Sequence, residues 1–275
     1  MVAALTNADG KQSGLNELLA AAANVSHSSP GFPTVAFHTV RLLKETNRGA
    51  EARTMLDKIL TEERQLLAGS SLNLFLGERM MLAQNLDEFL RNAPRVPAGF
   101  SVNEDGREIP EDEKDAEQTA KGAKSFFDLD AANVFNKAMP VAVMKDAARS
   151  NILPVNLRRD VAQASFVRAA MLDDHETAIQ AAASLEIELP ALKEFLAAYG
   201  KATTPDARRF AAGFLTLKFP GLRPFVSAGI GRTTAVEEID SYRDNYWCTQ
   251  PPTPQGGPPS EEQGKTRSLW PRLSF

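Results

Sequence analysis

Alanine and leucine dominate this chain: 40 Ala and 29 Leu stand against 14 Val and 7 Ile. Alanine and leucine lose little freedom on entering a helix, whereas β-branched residues favour pleated surfaces. A sheet-based core in 275 residues would need alternating runs of Val, Ile and Thr, and no convincing period-2 run occurs. The expected fold class is all-α.

Periodicity places the helices. Ala52, Met55, Leu56, Ile59 and Leu60 share one face over 50–67, continued by Leu66 and Leu67. Leu72, Phe75, Leu76, Leu82, Leu86, Phe89 and Leu90 repeat the pattern over 72–92. In 190–200 the face is Leu192, Phe195, Leu196 and Tyr199, with Pro190 at its start and Gly200 past its end. A helix over 205–218 carries Ala207, Phe210, Ala211, Phe214 and Leu215 on one face, opened by Thr204 as N-cap and Pro205 at the first position. Thr234 and Glu237 form a capping box for a helix through Tyr242.

Two connections are short. Asn47-Arg48-Gly49 separates a helix over 33–46 from the next, and Asp173-Asp174 separates 156–172 from 175–186. Short turns force antiparallel neighbours, so both pairs read as helical hairpins. The stretch 35–60 resembles a single tetratricopeptide-repeat (TPR) unit, through Leu43, the polar turn at Asn47, the small Ala52, and Leu56 and Leu60. The stretch 161–185 looks similar, with Ala178, Ala181 and Leu185 in its second helix. The family's aromatic and glycine of the first helix are absent from both. Ala52 and Ala178 lie 126 residues apart, which is not a multiple of the roughly 34-residue period. The resemblance therefore implies an irregular α-solenoid of stacked TPR-like hairpins, with a compact helical bundle as the alternative.

Pro94, Pro97, Gly99, Gly106 and Pro110 interrupt the pattern over 94–114. Eight carboxylates between Glu104 and Glu117 face only Arg107 and Lys114. The expected organisation is an N-terminal helical part (1–93), a long acidic loop and connecting segment (94–129), a C-terminal helical part (130–248), and a Pro-rich tail (249–275). That tail holds six prolines in 27 residues together with Gly256-Gly257, and is expected to be disordered or extended.

Thirty-one basic against 35 acidic residues, a formal charge of −4, argue against a nucleic-acid or anionic-membrane binder. The single Cys248 excludes an intrachain disulfide framework and a cysteine zinc site. No apolar run approaches the roughly 18 residues needed to span a bilayer. The start MVAALTNADG has no basic-then-apolar leader. The cytoplasm is the default expectation, and an exported mature fragment is the alternative if the native start lies upstream of Met1.

A few stretches offer candidate chemistry. The loop 101–112 partly imitates a calcium loop through Asn103, Asp105 and Gly106. Ser101, Glu108 and Asp112 depart from that pattern, and a solvated Asp-Gly turn accounts for it equally. Gly229, Gly231 and Arg232, ahead of the helix start at Thr234, form a possible anion-binding turn, with a plain helix connection as the alternative. His27, His38 and His175 fall in no HExxH pattern, and His38 is expected to be hydrogen-bonded near a packing surface. No GxSxG elbow exists, and 122–125 lacks the upstream glycine of a phosphate loop. Arg158, Arg159, Arg168, Arg208 and Arg209 are expected on a solvated face, a groove-facing subset being suited to a partner's carboxylate. Tyr242, Tyr246 and Trp247 cluster beside Cys248 and are expected to cap the last hairpin. Leu269, Trp270, Leu273 and Phe275 make a possible docking tail, or a simple end effect.

No catalytic residue, cofactor site or metal site is assigned. The expected function is a non-enzymatic protein–protein interaction or scaffold module, offering a concave helical surface to a protein or peptide. The alternatives are a helical accessory domain of an enzyme and a structural fragment of a larger envelope-associated assembly protein. The interaction reading calls for a groove lined by apolar and Arg side chains. The enzyme reading calls for a pocket with paired carboxylates or a His with an orienting partner.

Overall fold

The computed structural model describes residues 1–96, 98, 101–102, 108–109 and 125–229. The chain divides into two units, Met1–Thr233 and Thr234–Phe275, and the second lies outside the described residues, as does the capping box at Thr234 and Glu237. The all-α expectation holds. The helices are α1 (Val2–Asn7), α2 (Leu15–Ala22), α3 (Phe32–Glu45), α4 (Gly49–Glu62), α5 (Gly69–Met81), α6 (Leu86–Asn92), α7 (Leu129–Asn133, continued by a π turn Val134–Ala138), α8 (Val141–Arg149), α9 (Val155–Met171), α10 (His175–Glu188), α11 (Lys193–Lys201) and α12 (Pro205–Lys218). None of these helices is long and apolar enough to cross a membrane.

Both expected hairpins form, α3 with α4 and α9 with α10, and they turn alike. Asn47 (φ 59°) and Asp173 (φ 57°) are the described non-glycine residues with positive φ. Each places the next N–H on a carbonyl five residues back: Arg48 to Leu43 (2.8 Å) and Asp174 to Ala169 (2.9 Å). That geometry satisfies the last orphan carbonyls of the first helix. Asn and Asp tolerate the left-handed region because their short polar side chains relieve its cost locally.

Two stretches depart from their expected periodicity. The run 72–92 is two helices, because Asn85 adopts an extended conformation (φ −150°, ψ 171°) and accepts the Glu88 N–H. Glu88 in turn takes the N–H of Gln84, the residue before the cap, at 3.2 Å, a variant of the reciprocal cap that the Asn-x-x-Glu spacing suggests. The helix over 50–67 stops at Glu62 and gives way to a 3-10 turn, Arg64–Leu66, which leaves Leu66 exposed. Thr204 does cap α12, accepting the Ala207 N–H.

The N-terminal core gathers Leu5, Leu19, Val35, Val40, Leu56 and Phe75. In the C-terminal part α9 is enclosed. Ala162, Ala164, Ala169 and Ala170 are buried along it, which lets α8 and α10 approach closely. The two parts meet where β1 (Pro94–Arg95) pairs antiparallel with β4 (Phe126–Phe127). Another short pair, β2 (Ser101–Val102) with β3 (Glu108–Ile109), flanks residues 103–107 of the acidic loop, which lie outside the described residues. Arg95 is buried at the junction, donating to the Ala93 carbonyl (2.9 Å) and to Asp130 (2.9 Å). A Cβ at Gly77 would stand 3.1 Å from Asp130 Oδ2 and 3.2 Å from Arg95 Nη2, so a larger residue there would push on this ion pair.

The shared turn is testable at Asn47, whose side chain is exposed. Asn47→Val should destabilise the chain by about 1–2 kcal/mol, while Asn47→Gly should be close to neutral. Urea denaturation of both variants checks this, and equal losses would contradict it.

Candidate functional site

Backbone that leaves a helix and lies along other helices must find partners for its peptide groups. Beyond α12 the chain returns as an irregular strap over 222–229, bent at Pro224, Phe225 and Gly229, and side chains of α7 and α9 answer it. Asn136 donates from Nδ2 to the Val226 carbonyl and accepts the Val226 N–H at Oδ1, both at 2.9 Å. Arg168 donates to the Pro224 and Phe135 carbonyls and, at 2.8 Å, to Asn136 Oδ1. Asp160 Oδ2 accepts the Ser227 N–H at 2.8 Å. Gly229, at φ 88°, donates its N–H to the Phe127 carbonyl at 2.8 Å. Leu222 and Val226 bury their side chains beneath the strap.

The same clamp occurs once more. Asn73 on α5 donates to the Val96 carbonyl (2.7 Å) and accepts the Val96 N–H (2.9 Å). A carboxamide carries an acceptor and a donor side by side, so it can answer both the N–H and the carbonyl of one residue outside regular structure.

Burial sets the electrostatics of the strap. Desolvation pushes the Asp160 carboxyl up to about 6, against the Ser227 N–H and the Arg223 and Arg159 charges, which pull it down. Burial also lowers Arg168 below the usual guanidinium value, although a guanidinium stays charged near neutrality.

The strap bounds a groove of about 420 Å³ between α9 and α12, lined by Phe166, Ala170, Met171, Gly213, Leu222 and Pro224. Arg209 and Asp173, paired at 2.7 Å, also line it. Beside it α12 exposes Phe210 at 75% and Phe214 at 51%, both expected on a buried face, together with Leu217 at 78%. Phe210 stacks on Phe214 at 6.3 Å, Phe214 meets Phe195 of α11 at 6.1 Å, and Lys218 lies over the Phe195 ring. A wider groove of about 540 Å³ runs between α8 and α10, with Arg149, Asn151, Ile187 and the ion pair Arg158–Glu188 on its walls.

The residues singled out from sequence fall in different places. Gly229 has its N–H engaged by Phe127, while Gly231, Arg232, Leu269, Trp270, Leu273 and Phe275 lie outside the described residues, as do Tyr242, Tyr246, Trp247 and Cys248. Arg168 is turned inward onto carbonyls; Arg158 and Arg209 face the two grooves, each paired with a carboxylate. Arg208 reaches the Ala202 and Thr203 carbonyls at the start of α12. His38 lies within hydrogen-bond distance of Thr6 and accepts from Arg41, and burial with the Arg41 charge lowers its pKa. His175 packs its ring on Tyr199. Among the described residues no His, Cys, Asp and Glu cluster suits a metal ion. Sequence reasoning misses Asn136 and Asp160. Asp160 follows Arg158 and Arg159 and so reads as part of a solvated charged face; Asn136 carries no signal, because its partner lies 90 residues away.

No family model matches the chain, and comparisons with curated proteins and with solved structures return no match.

The strap is testable at two side chains. Asn136→Ala removes both bonds to Val226 and should cost about 1–3 kcal/mol, read as a lower urea midpoint. For Asp160 the folded value of about 6 stands above the ordinary 3.8. Its proton-linked contribution is therefore full below about pH 4 and lost as pH rises through about 6. Asp160→Asn lacks this contribution. The stability of the parent relative to Asp160→Asn should fall by about 1–3 kcal/mol between about pH 4 and pH 8, and a pH-independent difference would contradict the assignment.

Proposed function

We propose that the chain is a non-enzymatic protein–protein interaction or scaffold module, built of TPR-like helical hairpins stacked as an irregular α-solenoid. Its C-terminal helices receive an extended partner peptide carrying bulky apolar side chains. The observation that carries this reading is the α12 face. Phe210, Phe214 and Leu217 stand exposed beside the α9–α12 groove, and clustered apolar exposure marks interaction surfaces more often than it marks a finished exterior. The groove offers an apolar floor for an anchoring side chain. The paired Arg209 and Asp173 on its wall can exchange partners with a charged group of the peptide. The two matching hairpin turns at Asn47 and Asp173 support the stacked-hairpin architecture.

A display library of about twelve-residue peptides, selected on the full chain and then on Phe210→Ser/Phe214→Ser/Leu217→Ser, tests this. The substituted side chains are exposed, so helicity by circular dichroism should be unchanged. Selection on the parent should enrich sequences with aromatic or leucine anchors, and binding should weaken at least about tenfold on the triple variant. Equal binding to both proteins, or no enrichment on the parent, would contradict the proposal.

A further inference from the structure

A second site lies in the N-terminal helices, away from the groove proposed for peptide. A pocket of about 190 Å³ opens between α2, α3 and α4, walled by Val25, Phe32, Val35, Ala36, Met55 and Ile59. Glu63, directly after α4, turns its side chain into this apolar space and is only 5% exposed. His27 Nδ1 stands 2.5 Å from Glu63 Oε1. Both carboxylate oxygens are buried and neither makes a hydrogen bond among the described residues, so the His27 approach to Oε1 is a close contact only, and Oε2 lacks even that. Thr39, also on the wall, cannot supply one, because its hydroxyl donates to the Val35 carbonyl at 2.8 Å.

The placement is unfavourable twice over. A carboxylate in an apolar pocket loses its hydration, and Glu63 sits at the C-terminal end of α4, where the helix dipole opposes negative charge. An N–H-bearing cation would relieve both: it would donate to Oε2 and lie at the end of the helix that favours positive charge. The exposed end of the site carries the opposite sign, because Lys58 lines the pocket from an exposed position. His27, with 44% of its side chain exposed, stands at the same mouth. The volume is somewhat larger than the roughly 150 Å³ cavity that holds one aromatic ring.

We propose that this pocket binds a small primary ammonium carried on a branched or cyclic apolar body, the ammonium donating to Glu63 Oε2 and the apolar body packing on Phe32, Val35, Met55 and Ile59. That chemistry has two sources, a simple alkyl amine and an apolar α-amino acid. In the amino acid the carboxylate would face Lys58 and His27 at the mouth.

The test titrates the full chain with isopentylamine, isopentanol, isovalerate and leucine, following the Met55 methyl signal by carbon-13 NMR and affinity by calorimetry. Isopentylamine should shift Met55 at low millimolar concentration and bind at least about tenfold more tightly than isopentanol or isovalerate. Glu63→Gln should weaken the amine by about tenfold or more while leaving helicity unchanged. Leucine tighter than isopentylamine assigns the site to amino acids, and the reverse order assigns it to simple amines. A Met55 signal unmoved by either ligand at about 10 mM, equal affinity for amine and alcohol, or a folded Glu63→Gln that binds as well as the parent would overturn the proposal. If Glu63→Gln fails to fold, the amine-to-alcohol ratio on the parent decides.

Discussion

Backbone outside regular structure, laid against helices, is stable only when its peptide groups are answered, and in this protein side chains answer them. Asn136 clamps both polar groups of Val226, while Asp160 and Arg168, both on the enclosed helix α9, hold Ser227 and Pro224. The position of the strap follows from these bonds. The α9–α12 groove follows from the strap, since Leu222 and Pro224 form one of its walls. Burying Asp160 works against folding near neutrality, and the Ser227 N–H offsets part of that cost. Replacing Asp160 by an apolar residue would remove the desolvation penalty but leave the Ser227 N–H without its acceptor.

The device is used at two depths of the fold. Asn73 on α5 clamps Val96 as Asn136 clamps Val226. In the first case the held segment is the short β1 strand and its continuation, which join the helices before the acidic loop to those after it. In both, a carboxamide on a helical element fixes a residue whose own peptide groups join no strand ladder, Val96 just beyond β1 and Val226 in the strap. The alanines of α9 do the complementary work: by keeping the helix thin they let α8 and α10 close around it, so that Asp160 and Arg168 project from a rigid support.

Much of this is written in the sequence at the level of elements. The Ala and Leu excess points to the helical class, because propensity summed over long windows is informative. The hairpin turns are readable at Asn47 and Asp173, since polar residues between apolar periods mark reversals. The break before α6 is readable too, in Asn85 and Glu88, but the apolar positions run through it in register and hide it. The face of α12 shows the limit of periodicity. Phe210, Phe214 and Leu215 recur as a buried stripe would, yet Leu215 alone of them is buried. Spacing reports that a face exists and says nothing of what covers it. The clamps are unreadable for another reason: the roles of Asn73 and Asn136 are set by residues 23 and 90 positions away. The same holds for Glu63, whose side chain is enclosed by helices that approach it only in three dimensions.

Because so much of the C-terminal part depends on the strap, amide hydrogen exchange along it is the most direct measurement. If Asn136, Asp160 and Phe127 hold it, the N–H groups of Val226, Ser227 and Gly229 should exchange as slowly as the amides of α9, and Asn136→Ala should release Val226 first. Exchange of those three amides at the rate of free peptide, in the presence of a protected α9, would contradict it.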